Sequence, residues 1–485
     1  MRLVIATVRA DRGTVGNRDD ARAPGRRPVR ELPAFLSRPR DAIDSIARRS
    51  PARLTLIVFS GVIVAVTGLL LLPISTADGT VPPFVDALFT ATSAVCVTGL
   101  VTVDTAAYWS SFGHVVIMGG IMVGGLGVMT LASILGLAVS RRIGLTQRLL
   151  AASETRTAAL GEVGNLVRAV IVASLTLTGA LAVVFIPRFV ALGLTIPQAL
   201  WQGWFMAVST FNNAGFVILP GGIGGHVGDW WMSLPIIVGT FVGGIGFPVI
   251  LSVATHWREP RRWSLHAKLT ITTSVALWLL GTVLIGWFEW TNPATLGSLP
   301  IGDRIIGSMT AGMTPRSSGI DTVGVPEMRE ATWFLQDALM FIGGGSASTA
   351  GGIKVGTFAV MTLAIVAEAR GDRDIEAFGR RLSSSVVRLA IAVSFIGATF
   401  VGLAALALLV ITDLHLDVIL FEVISAFATC GLSTGATALL PDSAKYVLVV
   451  LMFAGRTGTM TLAAALALRN RRRVIRFPEE RPIIG

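Results

Sequence analysis

Phe89-Thr90-Ala91-Thr92-Ser93-Ala94-Val95-Cys96-Val97-Thr98-Gly99-Leu100 is the stretch whose reading decides the fold. An apolar segment over 82–95 runs into a polar turn that closes on a glycine. Three other places repeat the arrangement. The segment 196–211 leads into Asn212-Asn213-Ala214-Gly215-Phe216, 301–314 into Arg316-Ser317-Ser318-Gly319-Ile320, and 416–428 into Ala428-Thr429-Cys430-Gly431-Leu432. In each turn a small residue precedes the glycine and an apolar residue follows it. The stems match too: Phe89 to Ala94 resembles Phe205-Met206-Ala207-Val208-Ser209-Thr210 and Val423-Ile424-Ser425-Ala426-Phe427. A spacing of roughly 100 residues between such units is the mark of an internal repeat.

Working outward, each short segment is flanked by longer apolar runs. These include 54–72, 114–139, 167–185, 234–254, 269–287, 386–411 and 446–468. Each is long enough to cross ~30 Å of hydrocarbon as one helix, whereas the short segments, at ~12–16 residues, suit half-helices that enter and return. The pattern predicts an all-α membrane protein with eight transmembrane helices plus four re-entrant pore half-helices. The units are repeat 1 over 54–139, repeat 2 over 140–254, repeat 3 over 255–365 and repeat 4 over 366–468. A basic tail, 1–53, precedes them, with a short amphipathic piece near 35–47, and a second tail, 469–485, follows. No signal peptide precedes the first apolar run, so that run is expected to stay in the mature protein.

Composition agrees. Of 485 residues, 53% are hydrophobic and only 14% are charged, against about a quarter charged in a soluble domain. Length alone would suggest two or three soluble domains, and the apolar runs overrule it. The net charge of +11 points away from nucleic acid because of where it sits. Arg141, Arg142, Arg148 and Arg156 share one inter-helix segment; Arg258, Arg261, Arg262 and Lys268 a second; Arg370, Arg373, Arg380 and Arg381 a third. Arg469, Arg471, Arg472, Arg473 and Arg476 follow the last run. The alternate loops hold Asp78, Asp104, Asp229, Glu289, Asp321 and Asp413. That alternation is the positive-inside pattern and places both termini in the cytoplasm of a multi-pass cell-membrane protein. Two cysteines rule out a four-cysteine zinc site, and the five histidines show no metal spacing. No catalytic constellation stands out, so no enzyme is expected.

The physics of the turns points to a cation. Non-helical backbone inside a bilayer survives only where protein or a wet cavity surrounds it. Four such breaks on one axis would face their carbonyls inward, and such a ring replaces the water around a desolvated cation. Glycine permits backbone angles closed to residues with a Cβ. Each half-helix would also aim its C-terminal end, about half a negative charge, at the same point. The candidate ion-binding filter is Cys96, Val97, Thr98 and Gly99; Asn212, Asn213, Ala214 and Gly215; Arg316, Ser317, Ser318 and Gly319; and Ala428, Thr429, Cys430 and Gly431.

The same residues resemble the Trk/Ktr/HKT superfamily of potassium transporters, most closely the bacterial Ktr/Trk ion-conducting membrane subunit. The runs Ala91 to Leu100, Phe211 to Phe216 and Phe427-Ala428-Thr429-Cys430-Gly431-Leu432-Ser433-Thr434-Gly435 carry the resemblance, with the ending Phe477-Pro478-Glu479-Glu480-Arg481-Pro482-Ile483-Ile484-Gly485. It covers nearly everything but the N-terminal tail. It implies a homodimer with one pore per protomer, a cytosolic ring of nucleotide-binding regulatory subunits on a separate chain, and K+ at the filter carbonyls as the transported ion, with Na+ coupled or co-permeant in some relatives. In that family glycine in all four turns accompanies potassium, and serine at the first accompanies sodium preference. Here Cys96, Cys430 and the third turn depart from the common pattern, which bears on ion affinity.

The run Phe341-Ile342-Gly343-Gly344-Gly345-Ser346-Ala347-Ser348-Thr349-Ala350-Gly351-Gly352-Ile353-Lys354 breaks the second helix of repeat 3. It lacks the Gly-Lys-Ser/Thr ending of a phosphate-binding loop, and no strand precedes it. A bare helix kink is one reading. The resemblance implies another, an intramembrane gate, with Gly343, Gly344, Gly345, Ser346, Ser348, Thr349, Gly351 and Gly352 as its residues. Arg456 lies within the last spanning run beside Gly455 and Gly458, where a charge is costly unless paired or wet; it either snorkels or caps a loop, or faces the cavity and sets a barrier to cations together with the gate. Arg316, within the third turn, is expected to pair with a carboxylate such as Asp321 or Glu422. Two other classes compete. An alternating-access transporter would usually carry inverted repeats, whereas these units all start from the same side. A membrane-embedded enzyme or receptor-like scaffold would fail to rescue a host lacking potassium uptake.

Overall fold

A computed structural model describes residues 51–143 and 158–458, and of 51–54, 128, 131–143 and 158–166 only the backbone. The amphipathic piece near 35–47, both tails and the first and last basic segments lie wholly or largely outside the described residues.

The described residues are mostly helical. In order it forms α1 (Pro51–Leu70), α2 (Phe84–Cys96), the short α3 (Thr105–Tyr108), α4 (Ser111–Ile143), α5 (Ala158–Ala191) and α6 (Ile196–Asn212). Next come α7 (Trp230–Ile245), α8 (Phe247–Thr255), α9 (Leu265–Glu289), α10 (Ile301–Met313), α11 (Glu330–Phe341) and α12 (Val355–Arg370). A two-residue hairpin, β1 (Glu376–Ala377) with β2 (Arg380–Arg381), precedes α13 (Ser384–Ile411), α14 (Leu416–Ala428) and α15 (Asp442–Phe453). A π-helical turn, Ala454–Gly458, ends the described chain. Among the described residues, stretches of α5, α9 and α13 are each long and apolar enough to cross a bilayer, and the bent pair α7–α8 makes a fourth. Their outer faces carry large apolar side chains such as Val183, Val283, Trp287, Phe395 and Val410, as lipid solvation requires.

The four short helices are the buried ones. Phe89, Phe205, Phe211, Phe421 and Phe427 on α2, α6 and α14 are all nearly inaccessible. Each short helix packs against its neighbours in the bundle: α2 against α1, α4 and α15, α6 against α5, α10 against α9, and α14 against α11 and α13. Small residues allow the closest approaches. A Cβ on Gly203 would lie 2.6 Å from Ile186 Cγ1, and one on Gly312 2.5 Å from the Thr282 amide.

One expectation is corrected here. The run 234–254 reads as one unbroken spanning helix, but it is broken: α7 and α8 meet at 98°. Gly246 makes the corner with φ +90°, and a Cβ there would lie 2.5 Å from the carbonyl oxygen of Ser346. Pro248 follows at the second position of α8, where its missing amide costs nothing. The corner makes room for the Gly343–Gly352 segment: Phe247 N–H donates to the Ala347 carbonyl at 3.2 Å.

Buried ion pairs and carboxylate hubs fix the loops at the helix ends. Lys445 of α15 reaches Asp86 in the first turn of α2 at 3.0 Å, both nearly buried. Arg188 reaches Asp229, the N-cap of α7, at 2.6 Å. Glu289 accepts from Asn292, Thr295, Thr332 and the Arg329 amide, tying the end of α9 to the start of α11.

A candidate ion-transport site

α2, α6 and α14 each end in a residue with left-handed backbone: Val97 at φ +56°, Asn213 at +58° and Thr429 at +47°. In all three, two residues on, comes a glycine with positive φ: Gly99 at +93°, Gly215 at +75° and Gly431 at +97°. The third turn reaches the same geometry by another route. α10 stops at Met313, a tight turn through Pro315 follows, and Ser317 at +73° precedes Gly319 at +64°. Three residues with a Cβ thus sit in a region that costs ~1–2 kcal/mol each, plus the serine of the third turn. Bonds behind the turns offset it. Ser93 Oγ accepts from Gly99 N–H at 3.0 Å, and Ser425 Oγ accepts from Gly431 N–H at 3.1 Å.

The structure brings the four turns together. A Cβ on Gly99 would lie 2.6 Å from the Ala214 carbonyl oxygen and 2.8 Å from Gly215 Cα. One on Gly215 would lie 3.2 Å from the Ser318 carbonyl oxygen and 3.2 Å from Gly319 Cα. One on Gly319 would strike the Cys430 carbonyl and come within 2.9 Å of Gly431 Cα. One on Gly431 would strike the Thr98 carbonyl and come within 3.0 Å of Gly99 Cα. The contacts run first to second, second to third, third to fourth and fourth to first. Four glycines and four carbonyls, those of Thr98, Ala214, Ser318 and Cys430, therefore form a closed ring. Cys96, Val97, Asn212, Asn213, Ala428 and Thr429 are buried at the helix ends behind it. Thr98 Oγ1, both amide atoms of Asn213 and Thr429 Oγ1 are buried without a hydrogen-bond partner among the described residues. Cys96 and Cys430 are both free and buried thiols.

Arg316 behaves differently from expectation. Among the described residues it pairs with no carboxylate: its guanidinium donates to the carbonyls of Gly343 at 3.1 Å and Ser274 at 3.4 Å. The two acids are engaged elsewhere. Asp321 accepts from the amides of Val323, Gly324 and Val325 at 2.9–3.2 Å. Glu422, inside α14, accepts from Ser433 Oγ at 2.8 Å, from the Thr434 amide and hydroxyl at 2.9 Å each, and from Thr437 Oγ1. Sequence reading missed that role, although a carboxylate one short helix away from a Ser-Thr-Gly-Ala-Thr run was a usable signal. Glu422→Ala strands these donors at about 1–3 kcal/mol each where they are buried. It is expected to lower the melting temperature of the detergent-solubilised protein markedly, with Glu422→Gln retaining most of the lost stability; equal melting curves for all three proteins would refute the assignment.

The Gly343–Gly352 segment lies against the ring on the side where the short helices end. A Cβ on Gly351 would strike Thr429 Oγ1, and one on Gly352 would lie 3.2 Å from Ala428 Cα. Gly345 N–H donates to the Gly244 carbonyl at 2.7 Å, and Thr349 donates by Oγ1 to the Gly243 carbonyl at 3.1 Å. Ser348 Oγ donates to Gly345 O at 2.6 Å. Gly344 and Ser346 complete the segment, Gly344 against Gly244 and Ser346 against the corner at Gly246. Three cationic side chains cap its carbonyls. Arg316 takes Gly343, Lys354 takes Ala350 at 2.6 Å, and Arg456, 2% exposed, takes Thr349. Arg456 stands in the π-helical turn after α15, a distortion frequent at functional sites. Lys354 was not singled out from sequence; as the last residue of the glycine-rich run it was within view.

Apolar helices that enclose a ring of backbone turns are the architecture of a membrane transport protein. The family model described as TrkH, cation transport protein, matches residues 38–471, and the chain belongs to that family. It is 36% identical to the Ktr system potassium uptake protein B of Bacillus subtilis (strain 168), over 92% of this chain and 99% of that one. The corresponding protein of Vibrio alginolyticus is 34% identical over 90% of this chain and 96% of its own. The potassium/sodium uptake protein NtpJ of Enterococcus hirae is 32% identical over 90% and 98%. The crystal structure of the potassium transporter TrkH from Vibrio parahaemolyticus superposes with a TM-score of 0.68 at 19% identity, covering 90% of this chain and 86% of that one, which establishes the shared fold.

Proposed function

We propose that this protein takes up potassium across the cell membrane through a pore whose selectivity filter is the four-turn ring and whose gate is the Gly343–Gly352 segment. The observation that carries the reading is the cyclic contact of Gly99, Gly215, Gly319 and Gly431, each against the next turn's carbonyl or Cα. Stripping a monovalent cation of water inside a membrane is prohibitive unless other oxygens replace it, and four inward carbonyls do so. The short helices add the negative ends of their dipoles at the same place. In this reading α2, α6, α10 and α14 are re-entrant half-helices entering from outside, and eight crossings surround them in units 54–139, 140–254, 255–365 and 366–468, with tails 1–53 and 469–485 in the cytoplasm.

Likeness to two Ktr potassium uptake proteins supports potassium as the ion and a system with more than one component. We accordingly place this chain as the membrane subunit, a homodimer bearing a cytosolic nucleotide-binding ring. Likeness to the potassium/sodium uptake protein supports a second reading, a sodium-coupled or sodium-permeable transporter.

The test is complementation. In a bacterial host stripped of potassium uptake, the protein restores growth at micromolar potassium and drives rubidium entry. Rubidium flux that requires sodium stoichiometrically would favour the second reading; a host that stays potassium-dependent while the protein is present in its membrane would refute both.

A further inference from the structure

Two adjacent residues of the third turn hold opposite ends of the gate segment. Ser317 Oγ accepts from Gly351 N–H at 3.2 Å and donates to the carbonyls of Thr429 at 2.9 Å and Ala428 at 3.1 Å in the fourth turn. Arg316, one residue earlier, reaches Gly343 at the other end of the segment and Ser274 on α9. A single hydroxyl therefore joins three pieces of backbone: its own turn, the neighbouring turn and the segment. Both turns involved are held in left-handed backbone, at Ser317 and Thr429, so a helix ladder cannot take over these bonds. The packing is equally direct, since neither Gly351 nor Gly352 has room for a side chain against Thr429 and Ala428. Moving the segment away from the ring removes a donor from Ser317. Conversely, turning the peptide groups of 428–431 moves the acceptors that Ser317 uses.

We propose that Ser317 and Arg316 are positioning residues that link cation occupancy of the ring to the position of the gate segment, so that potassium in the ring favours the hydrogen-bonded, closed segment. The inference rests on the reading of the ring as a potassium filter. A cation held by the carbonyls of Ser318 and Cys430 fixes the peptide groups on either side of them. That holds the Thr429 carbonyl where Ser317 can bond it and leaves the Ser317 lone pair facing Gly351. The linkage is reciprocal: whatever releases the segment must weaken potassium in the ring by the same factor.

The experiment uses the full-length protein in lipid nanodiscs. Amide hydrogen exchange of peptides covering 343–354 is measured with potassium at a concentration that saturates each protein, judged by its potassium-dependent melting shift, and with N-methyl-D-glucamine in its place. For the parent protein, potassium slows exchange in this segment by roughly fivefold, the scale of one hydrogen bond. Ser317→Ala brings that ratio to one, and Ser317→Thr, which keeps the hydroxyl, restores it. Arg316→Gln lessens the ratio at the Gly343 end and carries the same test should Ser317→Ala not be recovered folded. Potassium-dependent protection that persists in Ser317→Ala overturns the proposal. So does a parent protein that binds potassium with no change in segment exchange, a result that leaves the filter standing. A parent protein that neither binds nor passes potassium removes the filter, and the linkage with it.

Discussion

Gly431→Ala ends potassium uptake while leaving the protein folded in the membrane. Gly431 sits at φ +97°, and a Cβ there meets the Thr98 carbonyl with Gly99 Cα 3.0 Å away. Adopting that backbone costs an alanine ~1–2 kcal/mol, which a buried helical protein survives. The contact is the larger matter. The atoms it strikes belong to the neighbouring turn, so relief comes only by moving two of the four turns apart. Rubidium influx is expected to fall by about two orders of magnitude, the scale on which a displacement of ~1 Å disables a functional geometry. Surface expression and the melting temperature, measured in parallel, stay within a few degrees of the parent. Influx above half the parent value would dismiss the ring as the path of the ion. Gly99→Ser is the informative companion. Its Cβ falls 2.6 Å from the Ala214 carbonyl oxygen, and the added hydroxyl is itself an oxygen ligand. That substitution is expected to leave flux measurable and to raise the sodium-to-potassium ratio.

Arg456→Ala does the reverse and raises basal flux. The Arg456 guanidinium is buried and caps the Thr349 carbonyl of the segment proposed as the gate. A hydrogen bond from a charged donor contributes about 1.5–3 kcal/mol, which corresponds to roughly 10–150-fold in the balance between closed and open segments at 1.4 kcal/mol per decade. Removing the guanidinium also takes a buried positive charge from beside the segment proposed as the gate. Lys354 on Ala350 and Arg316 on Gly343 still hold the segment, so the increase is expected near the lower end. Proteoliposomes loaded with potassium and assayed for rubidium exchange without any regulatory subunit read this directly. Equal basal flux in parent and variant would remove Arg456 from the gate. Arg456→Lys is expected to fall between the two, because an ammonium replaces the charge but not the reach of the guanidinium.

The short helices were the most legible part of this chain, and the reason is local. Their ends are set by residues the backbone itself demands: a left-handed residue, then a glycine, with no substitute. The reading 416–428 coincides with α14, and 82–95 differs from α2 by a residue or two. The third turn was legible in its glycine but not in its path, because Pro315 ends α10 early and a different loop delivers Ser317 and Gly319 to the same backbone geometry. The corner at Gly246 was hidden because hydropathy is blind to direction; the Gly246-Phe247-Pro248 triplet was the only available sign of it. Arg316 was misread for a further reason. Charge alone suggests an acidic partner, and Asp321 and Glu422 were the acids in view, yet the acceptors are the carbonyls of Gly343 and Ser274. A free carbonyl in a broken helix leaves no trace in composition. Lys354, whose acceptor is the Ala350 carbonyl, escaped on the same ground.

All four quadrants of the ring come from one polypeptide, and this makes them chemically unequal. A tetramer of identical subunits repeats every substitution four times over; here Cys430 occupies one quadrant, Asn213 another and Arg316 a third without any echo. In the proposed filter a substitution acts on one quadrant at a time: an exchange that leaves the packing of the ring intact alters one oxygen in four, while a Cβ added to a ring glycine still displaces the neighbouring turn. The fourfold ring is thereby open to gradual tuning that symmetric assemblies lack.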